Sequence, residues 1–185
     1  QQFNIDIQKI RFREPFLLDA VIALAVNRLT INDINYDEFN RYKIDRYKME
    51  EFKDSQNRLW INDSKATNID ATIQALNSLD KSYKIFLIIG GDDKDSNLEP
   101  LFELLKTLNI KLFCIGKNIA KLEKLAKKFT IEYEINFNIK NAVISIHKIH
   151  NKNSIAILSP AAASKDQFKS YKERGRIFSE LITVF

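Results

Sequence analysis

Apolar and polar positions fall into blocks with different periods. Residues 16–29, FLLDAVIALAVNRL, are apolar over a broad face with few helix breakers, which predicts a largely buried helix. Residues 30–42 are polar and aromatic and predict a turn and a short helix. Residues 45–52 alternate charges and read as a connection into a second unit, so a domain boundary is placed near residues 45–53, with parts 1–48 and 49–185. From residue 58 short apolar runs alternate with helical periods. Strands are predicted at 58–62, 85–91, 111–116 and 154–158, with a short edge strand at 130–135. Helices are predicted at 68–79, 98–108, 118–129, 139–149 and 164–181, the last with a candidate interruption at Gly175. Thr67 or Asn68 can cap the first of these helices, and Asp70 sits in its first turn. Ser164 and Gln167 have capping-box spacing. The run IFLIIGG is continuously apolar, as in a strand of a parallel sheet covered on both faces.

The alternation of strand and helix predicts an α/β fold with a mostly parallel sheet flanked by helices. Sheets of this kind carry their sites beyond the carboxyl ends of the strands. Three polar segments fall there: Asn62 to Asn68 (NDSKATN), Gly90 to Lys94 (GGDDK) and Ser159 to Phe168 (SPAAASKDQF).

Composition narrows this picture. With 185 residues, 45% of them hydrophobic and 13 of them Phe, the chain has material for a real core. The one cysteine, Cys114, excludes an intrachain disulfide and fits a reducing compartment. No apolar run approaches the roughly 20 residues that cross a bilayer, and no secretory signal is present. The chain opens at Gln1 rather than at a methionine and reads as a piece of a longer protein. The net charge of +5 comes from lysines spread along the whole length. They form no arginine cluster or basic–aromatic groove, which argues against nucleic acid, while an anionic substrate is compatible.

Each polar segment has a plain reading and a chemical one. NDSKATN is a capped helix start, or an anion site in which Lys65 adds charge to free backbone N–H groups. GGDDK is a surface turn, or a loop that brings Lys94 to a carboxylate or phosphate. SPAAASKDQF is a helix packed through small residues, or a close backbone approach in which Ser164 binds a carboxylate. Neither G-x-x-x-x-G-K followed by Ser or Thr nor G-x-G-x-x-G occurs, so neither familiar phosphate loop is present. His147 and His150 lack the partners of a metal site and are expected to face solvent. Cys114 lies in an apolar run and reads as a core thiol rather than a nucleophile.

Taken together and in order, WINDSKATN, IIGGDDK, LSPAAASKDQF and Arg174-Gly175 resemble the C-terminal domain of the Mur ligase family, nearest its D-glutamate-adding members. The resemblance runs over roughly residues 13–182 and is most specific from Trp60 to Gly175. It implies a Rossmann-like amino-acid-binding domain, preceded by the last helical piece of a central ATPase domain. It implies a cytoplasmic ATP-dependent ligase of peptidoglycan precursor synthesis, adding D-glutamate to UDP-N-acetylmuramoyl-L-alanine through an acyl phosphate. Lys65 and Arg46 match catalytic cations at the phosphates, Arg46 lying in a segment where Asp45 replaces the usual histidine. Thr67, Lys94, Ser164 and Tyr171 match D-glutamate-binding positions, with Phe168 on the helix behind. Asp63 matches a nucleotide contact, and Asp19 keeps polarity where the family has an asparagine near the adenine. Ala162 replaces a common cysteine. ATP and magnesium are the implied cofactors, with the magnesium ligands and phosphate loop expected outside this chain. The competing readings are another amino-acid ligase of the same family, or a non-catalytic anion-binding α/β module.

Overall fold

A computed structural model describes residues 4–184. They form two units that divide between Asp45 and Arg46. The first holds a short 3-10 helix (Ile7–Lys9), α1 (Leu17–Ile31) and α2 (Tyr36–Phe39). Asn35 caps α2 by accepting from the Glu38 amide at 3.0 Å. Ile10, Ala20 and Leu24 form a small core, packed by Phe12, Leu17, Val21 and Phe39 among others. The largely buried helix expected at 16–29 is half open in this unit. Leu18, Ile22, Val26 and Leu29 are all more than 50% exposed, because the short segments around α1 cover only one of its faces.

The second unit is the α/β layer. Its strands are β1 (Glu50–Lys53), β2 (Leu59–Asn62), β3 (Lys84–Ile89), β4 (Ile110–Ile115), β5 (Glu132–Phe137) and β6 (Ser154–Leu158). They pair in the order β1-β2-β6-β3-β4-β5. Every pairing is parallel except β1 with β2. Its helices are α3 (Ile69–Asn77), α4 (Glu99–Leu105), α5 (Ile119–Phe129), α6 (Ile139–Ile149) and α7 (Tyr171–Val184).

Strand geometry sends alternate side chains to opposite faces, and both faces here are apolar. Ile85, Leu87 and Ile89 of β3 join one core with α3, α4 and α5. Phe86 and Ile88 join the other with α6 and α7. This two-sided burial is why the run reads as continuously apolar. Cys114 lies in the first core, fully buried, and burial pushes its thiol up to about 12. It is a core residue, as its apolar run predicts.

Two elements differ from the sequence reading. β1 falls in the segment read as a connection: it is an edge strand with alternating half-buried and exposed residues, and both exposed positions, Glu51 and Lys53, are charged. The helix expected from Ser164 begins only at Tyr171. Residues 164–168 form a turn instead, in which the Ser164 carbonyl accepts from the Gln167 and Phe168 amides at 3.1 and 2.8 Å. Phe168 therefore lies in the turn rather than on the helix. Of the capping-box pair, Gln167 is committed elsewhere, donating to the Phe137 carbonyl at 2.7 Å, and its neighbour Asp166 accepts from the Lys117 amide at 2.8 Å. α7 then runs through Gly175 without a break.

Candidate functional site

Because β2, β6, β3, β4 and β5 are parallel, the loops that follow them leave one edge of the sheet. The three polar segments singled out from the sequence are all on that edge.

The first loop begins at Asp63, whose amide donates to the Leu158 carbonyl at 2.9 Å. Its carboxylate turns inward, accepting from Ser159 Oγ at 2.7 Å and the Met49 amide at 3.3 Å. Asp63 is 7% exposed, so its work in this structure is to tie together the ends of β2 and β6 and the approach to β1. Lys65 follows, half-buried, with its amide on the Tyr47 carbonyl at 3.0 Å and its ammonium 5.8 Å from the centre of the Tyr171 ring. Thr67 is exposed. Asn68, rather than Thr67, caps α3 by accepting from the Ala71 amide at 2.9 Å.

The second and third loops are stitched to each other. Asp92 and Ala163 form an antiparallel bridge, with reciprocal bonds of 2.9 and 2.8 Å, and the Gly90 amide donates to the Pro160 carbonyl at 2.9 Å. Gly91 sits at φ +144, and a Cβ there would lie 2.4 Å from the Ala163 oxygen. The bridge brings Lys94, two residues beyond Asp92, to the same part of the edge as Ser164, one residue beyond Ala163. Lys94 is exposed at the tip of its loop, where it and Asp95 are both left-handed (φ 50 and 58). Beneath it Asp93 is 9% exposed and pairs with Lys121 of α5 at 2.7 Å. Burial alone would raise the Asp93 carboxyl, but Lys121 and its other hydrogen bonds hold it below its ordinary value. Ser164 is 4% exposed.

Tyr171 opens α7, and its carbonyl accepts from Ser64 Oγ at 2.8 Å. Arg46 is exposed and pairs with Glu50 of β1 at 3.3 Å. The second unit thus holds Arg46, Asp63, Lys65, Thr67, Lys94, Ser164 and Tyr171. Asp19, exposed in the first turn of α1, belongs to the first unit. Sequence reasoning singled out Arg174 only as part of a motif. In the structure it is 1% exposed and bonded to both Ser64 and Ala162. Its contacts are long-range in sequence, and periodicity carries no signal of them.

The histidines depart from the expectation of solvent. His150 is 5% exposed, its ring nitrogens 2.6 Å from Ser154 Oγ and 3.0 Å from the Leu59 carbonyl. His147 is half-buried, with Nδ1 2.6 Å from an Arg58 nitrogen. Both back the buried Arg58–Asp54 pair at the opposite end of β2, away from the loops. Among the described residues no three His, Cys, Asp or Glu side chains gather as a cation site.

Asp63 and His150 respond to acid in opposite senses. Burial pushes Asp63 from 3.8 up to about 6, so the folded state holds a proton that the unfolded chain has released. Its contribution falls as pH rises from about 4 to 6. Burial, with the charge of Arg58 and His147, pushes His150 from 6.5 down to about 4, so the unfolded chain takes up the proton first. Its contribution falls as pH drops from about 6.5 to 4. Each effect is on the order of 3 kcal/mol at its limit, and they oppose one another. Urea unfolding at pH 4 to 7 is expected to show little net slope from these two groups in the wild type. Asp63→Asn should then lose stability on acidification, and His150→Gln should gain it. Parallel profiles for the two variants would contradict the buried states of these groups.

No family model matches the chain. The chain is 46% identical over 181 residues to the UDP-N-acetylmuramoylalanine–D-glutamate ligase of Campylobacter jejuni, covering 98% of this chain and 45% of that protein. The protein of the same name from Helicobacter pylori is 43% identical over 192 residues, with the same two coverages. The crystal structure of the UDP-N-acetylmuramate–alanine ligase of Thermotoga maritima superposes with a TM-score of 0.65 at 13% identity, over 92% of this chain and 38% of that one. That likeness is one of fold. The chain spans about 45% of the length of the curated relatives it matches. On its sequence identity along nearly its whole length, the chain belongs to the Mur ligase family, among the relatives of the UDP-N-acetylmuramoylalanine–D-glutamate ligases.

Proposed function

We propose that this chain is the amino-acid-holding part of an ATP-dependent ligase that joins D-glutamate to UDP-N-acetylmuramoyl-L-alanine in the cytoplasm. Residues 1–48 would be the end of the central ATP-binding domain and 49–185 the C-terminal domain. The observation that carries the reading is the Asp92–Ala163 bridge. It joins the loop of Lys94 to the loop of Ser164, which is what two anchors of one small diacid require.

In this reading the γ-phosphoryl group of ATP moves to the alanine carboxylate, giving an acyl phosphate and ADP. The D-glutamate amine attacks the acyl carbon, loses a proton, and the tetrahedral adduct expels phosphate to leave the amide. Phosphorylation is needed because an unmodified carboxylate would have to expel oxide. Lys94 and Ser164 hold the side-chain carboxylate of D-glutamate, with Thr67 and Tyr171 bordering the rest, so that the amine is aimed at the acyl carbon. Positioning of this kind removes up to about 7 to 11 kcal/mol of barrier at its limit. Lys65 and Arg46 would offset charge on the phosphates, and Asp19 would be a nucleotide contact, as the resemblance implies. Asp63, buried against Ser159, supports the Lys65 loop from within. Magnesium stabilises the transferring oxygens when bound. The described residues offer no cation cluster for it, and its ligands are expected outside this chain.

The test is phosphate release by the intact enzyme with precursor, ATP and a panel of amino acids. D-glutamate is expected to be preferred, and this chain alone is expected to release none. Preference for another amino acid would move the chain to a different ligase of the family. No turnover with any of them would favour a non-catalytic anion-binding module.

A further inference from the structure

We infer that Arg174 is a positioning residue that fixes the distance between the Lys65 loop and the Ser164 loop, and so sets the grip on the amino-acid substrate. The inference rests on the D-glutamate reading above. Arg174 lies one turn into α7 and is 1% exposed. Its guanidinium meets two loops that are far apart in sequence. Nε donates to Ser64 Oγ at 3.0 Å and Nη2 to the Ser64 carbonyl at 2.8 Å. Nη1 and Nη2 both donate to the Ala162 carbonyl at 3.2 Å.

Each contact sits next to a residue of the site. Ser64 precedes Lys65, and its hydroxyl passes the link on to the Tyr171 carbonyl at 2.8 Å. Tyr171 in turn lies beneath the Lys65 ammonium. Ala162 precedes Ala163, which bridges to Asp92 on the Lys94 loop, and Ser164 comes next. One planar group therefore orders the backbone on which Lys65, Ser164 and Tyr171 are mounted, and through the bridge that of Lys94.

The placement also argues against a merely space-filling role. A charge taken out of water is costly, and an apolar side chain fills a core position more stably. Burial depresses the guanidinium to about 10, with Asp166 acting the other way, so it stays charged at neutral pH. All four of its bonds end on the two site loops. Lysine cannot reproduce them, because its ammonium lacks the fixed fork of a guanidinium.

The experiment uses the intact ligase containing this chain, with Arg174→Lys and Arg174→Ala. Arg174→Lys is expected to melt as a folded protein while its KM for D-glutamate rises at least about tenfold and its KM for ATP stays within about twofold. Arg174→Ala is expected to lose more, and millimolar guanidinium, but not an equal concentration of sodium chloride, should restore part of its D-glutamate use. A folded Arg174→Lys enzyme with unchanged D-glutamate KM, or with equal rises for ATP and D-glutamate, overturns the inference. So does the failure of both variants to fold, which would make Arg174 purely structural. A wild-type enzyme indifferent to D-glutamate overturns the substrate reading instead, and the amino acid it does use then takes D-glutamate's place in the same comparison.

Discussion

Gly91→Ala is expected to raise the KM for D-glutamate about a hundredfold and to destabilise the α/β unit by about 3 kcal/mol. Gly91 is at φ +144, where an L side chain is strained by about 1 to 3 kcal/mol. The new methyl would meet the Ala163 carbonyl oxygen at 2.4 Å, which is backbone and cannot swing aside. Relief of the clash must part the Gly91 and Ala163 chains, breaking the 2.9 and 2.8 Å bonds of the Asp92–Ala163 bridge. Each such bond contributes about 1 kcal/mol net. The functional loss, a hundredfold or about 2.7 kcal/mol, matches the structural one in size, because the same movement separates the Lys94 and Ser164 arms. Urea unfolding of this chain can follow Trp60, which is 1% exposed in β2. D-glutamate kinetics on the intact enzyme supply the other readout. A variant that is destabilised but keeps its D-glutamate KM would show that the bridge serves folding and not the site.

Much of the layer architecture was legible because burial on both faces leaves a mark on sequence. β3, β4 and β6 lie inside the sheet, and their apolar runs at 85–89, 112–115 and 155–158 could be read directly. β1 was not legible, because a half-exposed edge strand of four residues looks like a charged connection. The helix expected from Ser164 failed for a different reason. Local spacing cannot show that Asp166 and Gln167 are drawn to the loop after β4 and to the end of β5, and those long-range bonds decide between a helix start and a turn.

The site divides along the same line. Its loops were legible from position, since polar text after a buried strand of a parallel sheet has one place to go. What each polar residue does there was not. Asp63 and Lys65 sit two positions apart, yet one carboxylate faces inward to Ser159 and the ammonium lies over Tyr171. His150 reads as an ordinary polar residue at a helix end, and only the fold places it under Leu59 and against Ser154. Buried polar groups are chosen by partners distant in sequence, so their roles emerge with the coordinates.

Lys94→Ala is the counterpart of the glycine variant, since it should remove grip without disturbing structure. Lys94 is exposed, and its loop is held by other means: the Asp93–Lys121 pair at 2.7 Å and the Asp92–Ala163 bridge. Truncation is therefore expected to leave the unfolding midpoint of this chain unchanged. In the intact enzyme the KM for D-glutamate should rise about a hundredfold, the scale of a hydrogen bond to a charged group worth roughly 1.5 to 3 kcal/mol. The KM for ATP should stay within about twofold, because phosphate charge is met by Lys65 and Arg46 in the proposed reading. A comparison with D-glutamine isolates the interaction further. The wild type should prefer D-glutamate strongly, since the amide lacks the charge that Lys94 recognises. Lys94→Ala should bring the two substrates close to parity. If both substrates lose equally, Lys94 acts on the phosphates rather than on the amino acid's side chain.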